Sequence, residues 1–341
     1  MSQSDNARQI VDLPSHDILL KLSYKTDMKH KELVLSTVES KQAAAYSTVA
    51  ASWSRSVEQY GLDPSAKSSS IVVTEQELSL RQEANDQFLQ IAAPKLDRLF
   101  GLVGSSGCAI FLTDQEGVIL DQRCKIADVN SFQKWGLMSG ADWSESAEGT
   151  NGIGTCIAED RSIIIHRDQH FFSKNTAMSC IDTPIYGSNG MIIGALNISS
   201  ARADQTAEIN KMIAAMVSQS AKQIESDHFR ATFSNARITL LDTGDADKNA
   251  LLAINSDDIA IGATRDARQL IGWEKAGKFT PAAARDIFGG DGGTLKAFDR
   301  AQRAAMVRAL TRSNGNVSKA ARALNIGRAT MYRRMKRYDL N

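Results

Sequence analysis

Eleven lysines and arginines lie between Asp299 and Asn341 (Arg300, Arg303, Arg308, Arg312, Lys319, Arg322, Arg328, Arg333, Arg334, Lys336 and Arg337), against two acids, Asp299 and Asp339. That local excess of nine positive charges leaves a net −8 on the rest of a chain whose total is +1. Such asymmetry points to a polyanion partner at the carboxyl end. The cations are also patterned. Ala301, Ala305, Met306, Ala309 and Leu310 make the apolar stripe of one helix, Gly315 interrupts it, and Val317 to Leu324 make a second, short helix around Ala320-Ala321. Asn325-Ile326-Gly327 is then a tight turn before a third helix, Arg328 to Tyr338. There Met331, Met335 and Tyr338 share an inner face, while Arg328, Thr330, Tyr332, Arg333, Lys336 and Arg337 point elsewhere. Two helices joined by a short turn, with cations on the outer face of the second, describe a helix-turn-helix. Side chains near the start of its recognition helix reach base edges while flanking cations hold phosphates, so Arg328 is the base-reading candidate.

The remaining chemistry-bearing residues carry weaker signals. Cys108, Cys124, Cys156 and Cys180 are widely spaced with no C-x-x-C pair, which is neither a disulfide framework nor a zinc pattern. They read as reduced thiols, and lone cysteines are most often small buried hydrophobes. His166 and His170 would share a helix face as metal ligands, but His166 ends a strand, so no metal is expected. The Gly-rich run Gly149 to Gly154 reads as a tight loop over the sheet edge in which Thr150 and Asn151 bond their own backbone. It also makes Trp143, Thr150, Asn151, Thr155, Cys156 and Phe171 the candidate walls and polar contacts of a ligand pocket. Trp135 and Phe172 are further aromatics, for which simple core packing is the commoner role.

The elements that position these residues follow from period and punctuation. At 341 residues, with 43% hydrophobic and 23% charged content, the chain is ordinary for a soluble globular protein of two or three domains. No apolar run is long enough to span a membrane, and no secretory signal is visible at Met1 to Asp12, so a cytoplasmic location and no membrane partner are expected. The first 30 residues read as a loose polar tail, followed by a helix with Val49, Trp53, Val57 and Tyr60 on one stripe, stopped by Gly61 and Pro64. A Ser-rich linker, Ser65 to Ser70, precedes a helix carrying Phe88, Ile91, Ala92, Leu96, Leu99 and Val103. From Cys108 to Ser200 the pattern is that of strands: Ala109 to Thr113, Val118 to Asp121, Ile163 to His166, Cys180 to Ile185 and Met191 to Ser199, with turns at Asp114 to Gly117 and Ser188-Asn189-Gly190. Helical spacing returns at Ile209, Met212, Ile213, Met216, Val217 and Ile224, giving an antiparallel sheet with a long helix at each end. Both stripes are longer than a small sheet needs, which leaves part of each for a homodimer seam. Leu251 to Ile254, Ile259 to Gly262 and Thr264 to Ile271 suggest strand, strand and helix, and Gly289 to Gly293 a flexible linker.

Gly315 to Tyr338 closely resembles the Fis-type DNA-binding domain. By that resemblance Arg328, Thr330, Tyr332 and Arg333 take DNA-facing positions and Lys319 lies near a phosphate of double-stranded DNA; Gly327 stands where such proteins often carry Ser or Asn, a weaker helix cap. Ser52-Trp53-Ser54-Arg55-Ser56 with Gly61 to Pro64, and Glu148-Gly149-Thr150-Asn151-Gly152-Ile153-Gly154-Thr155, resemble the amino-terminal half of acetoin-catabolism-type activators. Leu112-Thr113-Asp114, Pro184-Ile185 and Gly194-Ala195-Leu196 fit the same pattern. The resemblance implies a GAF domain, a small-molecule-sensing relative of the PAS fold, and Leu251 to Phe288 looks like the start of a PAS domain. The fold class expected is therefore α+β: a GAF antiparallel sheet with flanking helices, a short PAS-like segment and an all-α Fis-type helix-turn-helix. The domains run 1–79 (tail and helical segment), 80–229 (GAF), 230–293 (PAS-like segment and linker) and 294–341 (DNA binding). Relatives usually carry a P-loop ATPase between sensor and DNA binder, yet the chain has no G-x-x-x-x-G-K-[ST] and too few residues there to hold one. The expected function is a transcriptional regulator that controls operator binding without ATP hydrolysis, with no cofactor or catalytic residue and with RNA polymerase as a further candidate partner. Two alternatives stay open: a GAF-type thiol-dependent methionine sulfoxide reductase, suggested by the four thiols, and a Fis-like architectural protein that bends DNA without sensing.

Overall fold

The computed structural model describes residues 16–40, 42–66, 70–202, 204–245, 248–288 and 297–340. It divides into two compact units, Met1–Ala284 and Arg285–Asn341. The middle of the Ser-rich linker (67–69) and the Gly-rich linker (289–293) lie outside the described residues. No helix among the described residues is long and apolar enough to cross a membrane.

The first unit opens with helices α1 (His16–Glu39), α2 (Ala43–Tyr46) and α3 (Thr48–Ser54), the last continuing into a π-helical turn, Arg55–Gln59. The loose tail expected to residue 30 is thus corrected from His16, where the chain is helical, while residues 1–15 lie outside the described residues. The first turns of α1 hold Leu and Lys, good helix formers without a regular stripe, so intrinsic propensity supports a helix that periodicity does not announce. Further along, His30 and Val34 are buried. Val34 packs with Trp53, Phe171 and Phe172, and His30 Nε2 lies 3.0 Å from the His170 carbonyl and 3.1 Å from that of Phe171.

Next come α4 (Glu75–Ala84), α5 (Asp86–Val103), β1 (Cys108–Thr113), β2 (Ile119–Arg123), α6 (Ile126–Lys134), α7 (Glu145–Glu148), α8 (Gly152–Ala158), β3 (Ile163–His166), β4 (Ser179–Tyr186), β5 (Ile192–Ser200) and α9 (Ala207–Thr232). The five strands form one antiparallel sheet in the order β2-β1-β5-β4-β3. Strand alternation sends Cys108, Ile110 and Leu112 to one face, where they meet Phe88, Leu96 and Leu99 of α5 and Ile213, Val217 and Ile224 of α9. Ala109 and Phe111 go to the other face, against Phe132 of α6, Trp143 and Ile153 of α8. The β1–β2 turn is held by Asp114, whose Oδ1 accepts from the Glu116 and Val118 amides, with Gly117 at φ 93°.

Asn151 bonds its own backbone as expected, its Nδ2 donating to the Gly149 carbonyl at 2.9 Å, but from Gly152 onward the expected loop is corrected to a helix. Asn151 caps α8, its Oδ1 accepting from the Gly154 amide at 2.9 Å, and α8 lies on the sheet face rather than along its edge. Three glycines permit that approach, since a Cβ at Gly149, Gly152 or Gly154 would overlap the Phe171 ring, the Asp182 carboxyl and the Glu145 backbone respectively.

A second antiparallel sheet, β6 (Arg237–Leu240), β7 (Leu251–Ile254), β8 (Ile259–Ala263) and β9 (Ala282–Ala283) in that order, carries α10 (Arg265–Leu270) between its last two strands and α11 (Ala284–Ile287) after them. The central pair and α10 are the elements expected. The edge strands β6 and β9 went unrecognised because one alternates poorly and the other is two residues long. The second unit holds α12 (Ala297–Arg312), α13 (Val317–Ala323) and α14 (Arg328–Arg337) around Met306, Ala309, Ala320, Ala321, Met331 and Tyr338.

Candidate functional site

In the second unit the helix-turn-helix is α13, a turn, and α14. Asn316 caps α13 by accepting from the Lys319 amide at 3.0 Å. Asn325 turns the chain at φ 52°. Gly327 starts α14 without a side-chain cap, as expected for a glycine in that place. Met331 is fully buried, and Arg328, Tyr332, Arg333 and Lys336 are exposed, as is Lys319 on α13, with Thr330 half-buried. The Arg328 guanidinium lies 5.6 Å from the Tyr332 ring centroid, so the two form one amphipathic plate near the start of the helix. Arg337 differs from the others: it pairs with Asp299 at 3.1 Å, and Tyr338 Oη donates to that same carboxylate at 2.9 Å. Arg337 therefore ties α14 to α12. Among the described side chains of 297–340 this is the single ion pair, so the other cations present uncompensated charge.

In the first unit the six candidate pocket residues come together as core. Trp143, Thr150, Asn151, Thr155, Cys156 and Phe171 are each at most 1% exposed. Trp143 Nε1 donates to the Gly136 carbonyl. Thr150 and Thr155 lie 2.7 and 3.2 Å from Ser52 Oγ, whose own proton goes to Glu145 Oε1 at 2.5 Å, so both threonine hydroxyls donate to Ser52. Arg55 completes the cluster with two bonds to Glu145 and one to Glu159, all at 2.8 Å. Its guanidinium is held still more firmly protonated by Glu145, against the opposing cost of burial. The residues Ser52, Arg55 and Glu145 were not singled out as site residues. The signal was present in the Ser52 to Ser56 and Glu148 to Thr155 motifs, which this network joins across some 90 residues of chain.

Three cavities lie elsewhere. One of about 450 Å³ sits between the end of α5 and the start of α9, beside the exposed Leu102, Ile209 and Met212. A second, about 460 Å³, runs beside the edge strand β3. The third, about 210 Å³, lies where the first sheet, α9 and the second sheet meet. None of the three is lined by the six candidates.

The thiols are poor nucleophiles. Burial pushes Cys108 and Cys124 up, Cys156 well up, and Cys180 to about 12. Burial also drives His170 down to about 4. Its Nδ1 faces the Arg167 carbonyl at 2.9 Å, so the neutral ring donates there and its Nε2 accepts from the Cys180 thiol at 3.3 Å. His166 instead meets Ser179 and Asn210. Among the described residues no three His, Cys, Asp or Glu side chains gather as a metal site.

Residues 87–225 match the GAF domain family, and residues 298–338 match the bacterial regulatory protein, Fis family. The chain joins a GAF domain to a Fis-family helix-turn-helix. It is 30% identical to the acetoin catabolism regulatory protein of Cupriavidus necator, over 66% of this chain and 34% of that protein. It is 26% identical to the acetoin dehydrogenase operon transcriptional activator AcoR of Bacillus subtilis, over 44% of this chain and 25% of that one. The chain thus spans about a third or less of the length of these curated relatives. In fold it is similar to a chain of the Escherichia coli DhaR(N)–DhaL complex, with a TM-score of 0.50 and 15% identity over 67% of this chain and 77% of that one. Between the GAF domain and the Fis helices stands the small second sheet, with no P-loop motif.

At the GAF domain's border with that sheet, burial raises Glu225 from 4.5 to about 8, and Asp266 adds to the rise although the Tyr186 amide bonds the carboxylate. A carboxyl raised on folding contributes most where it is protonated in both states. Its contribution is therefore full below about pH 4.5 and falls as pH climbs to about 8. Glu225→Gln, which keeps an acceptor for the Tyr186 amide, is expected to flatten the decline of Tm between pH 5 and pH 8.5 and to raise Tm at the upper end. An unchanged pH profile would show that Glu225 is ionised in the folded protein.

Proposed function

We propose that this protein is a sequence-specific DNA-binding transcriptional regulator whose GAF domain senses a small molecule and controls operator binding without ATP hydrolysis. The observation that carries the reading is α14, a helix anchored by Met331 that presents Arg328, Tyr332, Arg333 and Lys336 uncompensated beside Lys319. The divisions proposed are 1–79, 80–229, 230–293 and 294–341. Double-stranded DNA is the principal partner, RNA polymerase a further one, and the cytoplasm the place of action. A homodimer fits because one helix-turn-helix reads few base pairs, and the exposed Leu102, Ile209 and Met212 offer apolar surface on α5 and α9. Burial of three of the four thiols favours regulation over reductase chemistry.

The test begins with selection of genomic fragments by the full chain, then footprinting. Arg328→Ala is expected to weaken the selected site by about 1 to 3 kcal/mol and to relax preference at one base pair. An unchanged preference removes Arg328 from readout. Operator affinity of the full chain across a metabolite panel, without ATP, then tests sensing; an effect that appears only with ATP would defeat the mechanism.

A further inference from the structure

The small second sheet takes part of its core from the GAF domain. Leu251 and Ala253 of β7 pack on Phe229 in the last turn of α9, with Phe233, Ile238 and Ile261 around them. Phe229 is 1% exposed, and its ring centroid lies 4.8 Å from that of Phe233. Gly262 of β8 leaves room for this, since a Cβ there would overlap the Phe233 ring. The helix that closes the GAF domain therefore supplies the largest side chains of that cluster, and burial of such rings holds the two parts together. Asn249, just ahead of β7, adds polar contacts to the same helix: its Nδ2 donates to the Lys222 carbonyl at 3.2 Å and to Ser226 Oγ.

A second attachment reaches the sheet from the tip of the β4–β5 hairpin. The Asn189 carbonyl accepts from the Gly277 amide at 2.9 Å, and the Gly190 carbonyl accepts from Arg265 Nη1 at 3.2 Å. Gly190 is at φ 77°, and a Cβ there would overlap the Lys275 carbonyl oxygen, so both the turn and the close approach require glycine. Arg265, the first residue of α10, makes a third attachment. Its Nη2 pairs with Asp160, which follows α8, and its guanidinium lies 4.4 Å from the centroid of the Tyr186 ring at the end of β4. Tyr186 Oη in turn donates to the Asp160 carbonyl at 3.2 Å. With 19% of its side chain exposed, Arg265 is a bridge set into the junction, not a solvated surface cation. Its planar fork suits ion pairing, ring stacking and donation to a carbonyl at once.

We propose that the second sheet is latched to the GAF domain through Gly190 and Arg265 and serves as a rigid transmitter of the sensor's state, not as a second sensing domain. The inference rests on the reading of the protein as a small-molecule sensor and names the element through which that sensor acts. A sheet held by α9 alone would be free to turn about the short connection that follows Phe233. The hairpin tip and the Asp160–Tyr186 edge add two further points of attachment on other elements, and each removes freedom to turn. β4 and β5 are central strands of the GAF sheet, β5 between β1 and β4, and β4 between β5 and β3. A ligand-driven change in the twist of that pair, or in the seating of α9 upon it, therefore carries the whole second sheet with it. The chain leaves the second sheet by β9, paired with Ile259 and Ala260 of β8, on its way to the Fis helices. The differential affinity that regulation requires then needs only an effector that prefers one arrangement of this joined body over another.

The latch is read without any effector, by hydrogen exchange of the full-length chain across a urea series. In the parent chain, amides of β7 and β8 are expected to open together with those of β1, as one cooperative unit. Two variants are expected to separate them: Arg265→Ala, and Gly190→Asn, a change that the left-handed turn tolerates but that brings a Cβ against Lys275. In each, amides of β7 and β8 should exchange roughly tenfold faster or more, while those of β1 stay within about twofold of the parent. A second sheet that already opens on its own in the parent, or that keeps its protection in both variants, overturns the latch. Operator affinity then tests transmission. For a metabolite that shifts the affinity of the parent chain, both variants are expected to keep basal operator binding and to lose most of the shift. A full shift in a variant whose second sheet opens separately overturns the transmitting role. If no metabolite shifts the parent, the sensing reading fails and the transmitting role with it, while the latch stands or falls by exchange alone.

Discussion

Raising monovalent salt from 50 to 200 mM is expected to weaken DNA binding by the full chain about 10³-fold. Affinity for a duplex grows with the number of phosphates neutralised, each contributing a slope of about −0.9 in log K against log salt, and some six contacts produce a change of that size. The Fis unit has the charge for it. Arg308, Arg312, Lys319, Arg322, Arg328, Arg333 and Lys336 are exposed and make no ion pair among the described residues, so two copies on a two-fold operator reach six contacts with three phosphates each. Arg337, engaged with Asp299, is expected to contribute less than its exposure suggests. Lys319→Ala and Lys336→Ala, each removing one contact from both copies, should each lower the steepness of the slope by about two while leaving sequence preference intact, unlike Arg328→Ala. The slope is measured by fluorescence anisotropy with a labelled operator fragment; a loss below about tenfold over this range would mean that the cationic helix does not lie on the phosphates.

The second large effect is expected from Arg55→Ala, a loss of about 3 kcal/mol or more from the GAF domain. The Glu145 side chain is 2% exposed and receives two bonds from Arg55 and one from Ser52. Removing the guanidinium leaves a carboxylate buried without its countercharge, which costs far more than a surface pair is worth. Glu159 loses one of its two partners as well, but it keeps Arg161 at 3.9 Å, is 23% exposed and can turn to water. Glu145→Gln is expected to cost less than Arg55→Ala because it removes the buried charge and keeps an acceptor for Ser52. Urea unfolding followed by tryptophan fluorescence reads both, since Trp53 and Trp143 sit inside the affected region. Equal losses, or a loss below 1 kcal/mol for Arg55→Ala, would show that the hydroxyls of Ser52, Thr150 and Thr155 carry Glu145 without help.

The sequence by itself determined the elements whose order is local. In α12 to α14 every contact that defines the fold lies within about 40 residues, so spacing, the Asn316 cap, the left-handed turn at Asn325 and the charge pattern all speak for the same three helices. The five strands of the first sheet were legible for the same reason, since alternation and turn residues act over a few positions. Contacts between distant segments were decided by tertiary structure alone. The spacing within Ser52 to Ser56 does not reveal that Ser52 and Arg55 meet Glu145, 93 and 90 residues away. A composition rich in Gly, Thr and Asn does not distinguish a loop open to ligand from a helix pressed onto a sheet; the overlap that Phe171, Asp182 and Glu145 would impose on any Cβ there made it the latter. The lone acid in the apolar strand Cys180-Ile181-Asp182 gave a faint signal at best. Whether its second oxygen finds a partner depends on Asn197 and on how closely Gly152 of α8 is pressed against it, and that is fixed only when the whole unit is packed.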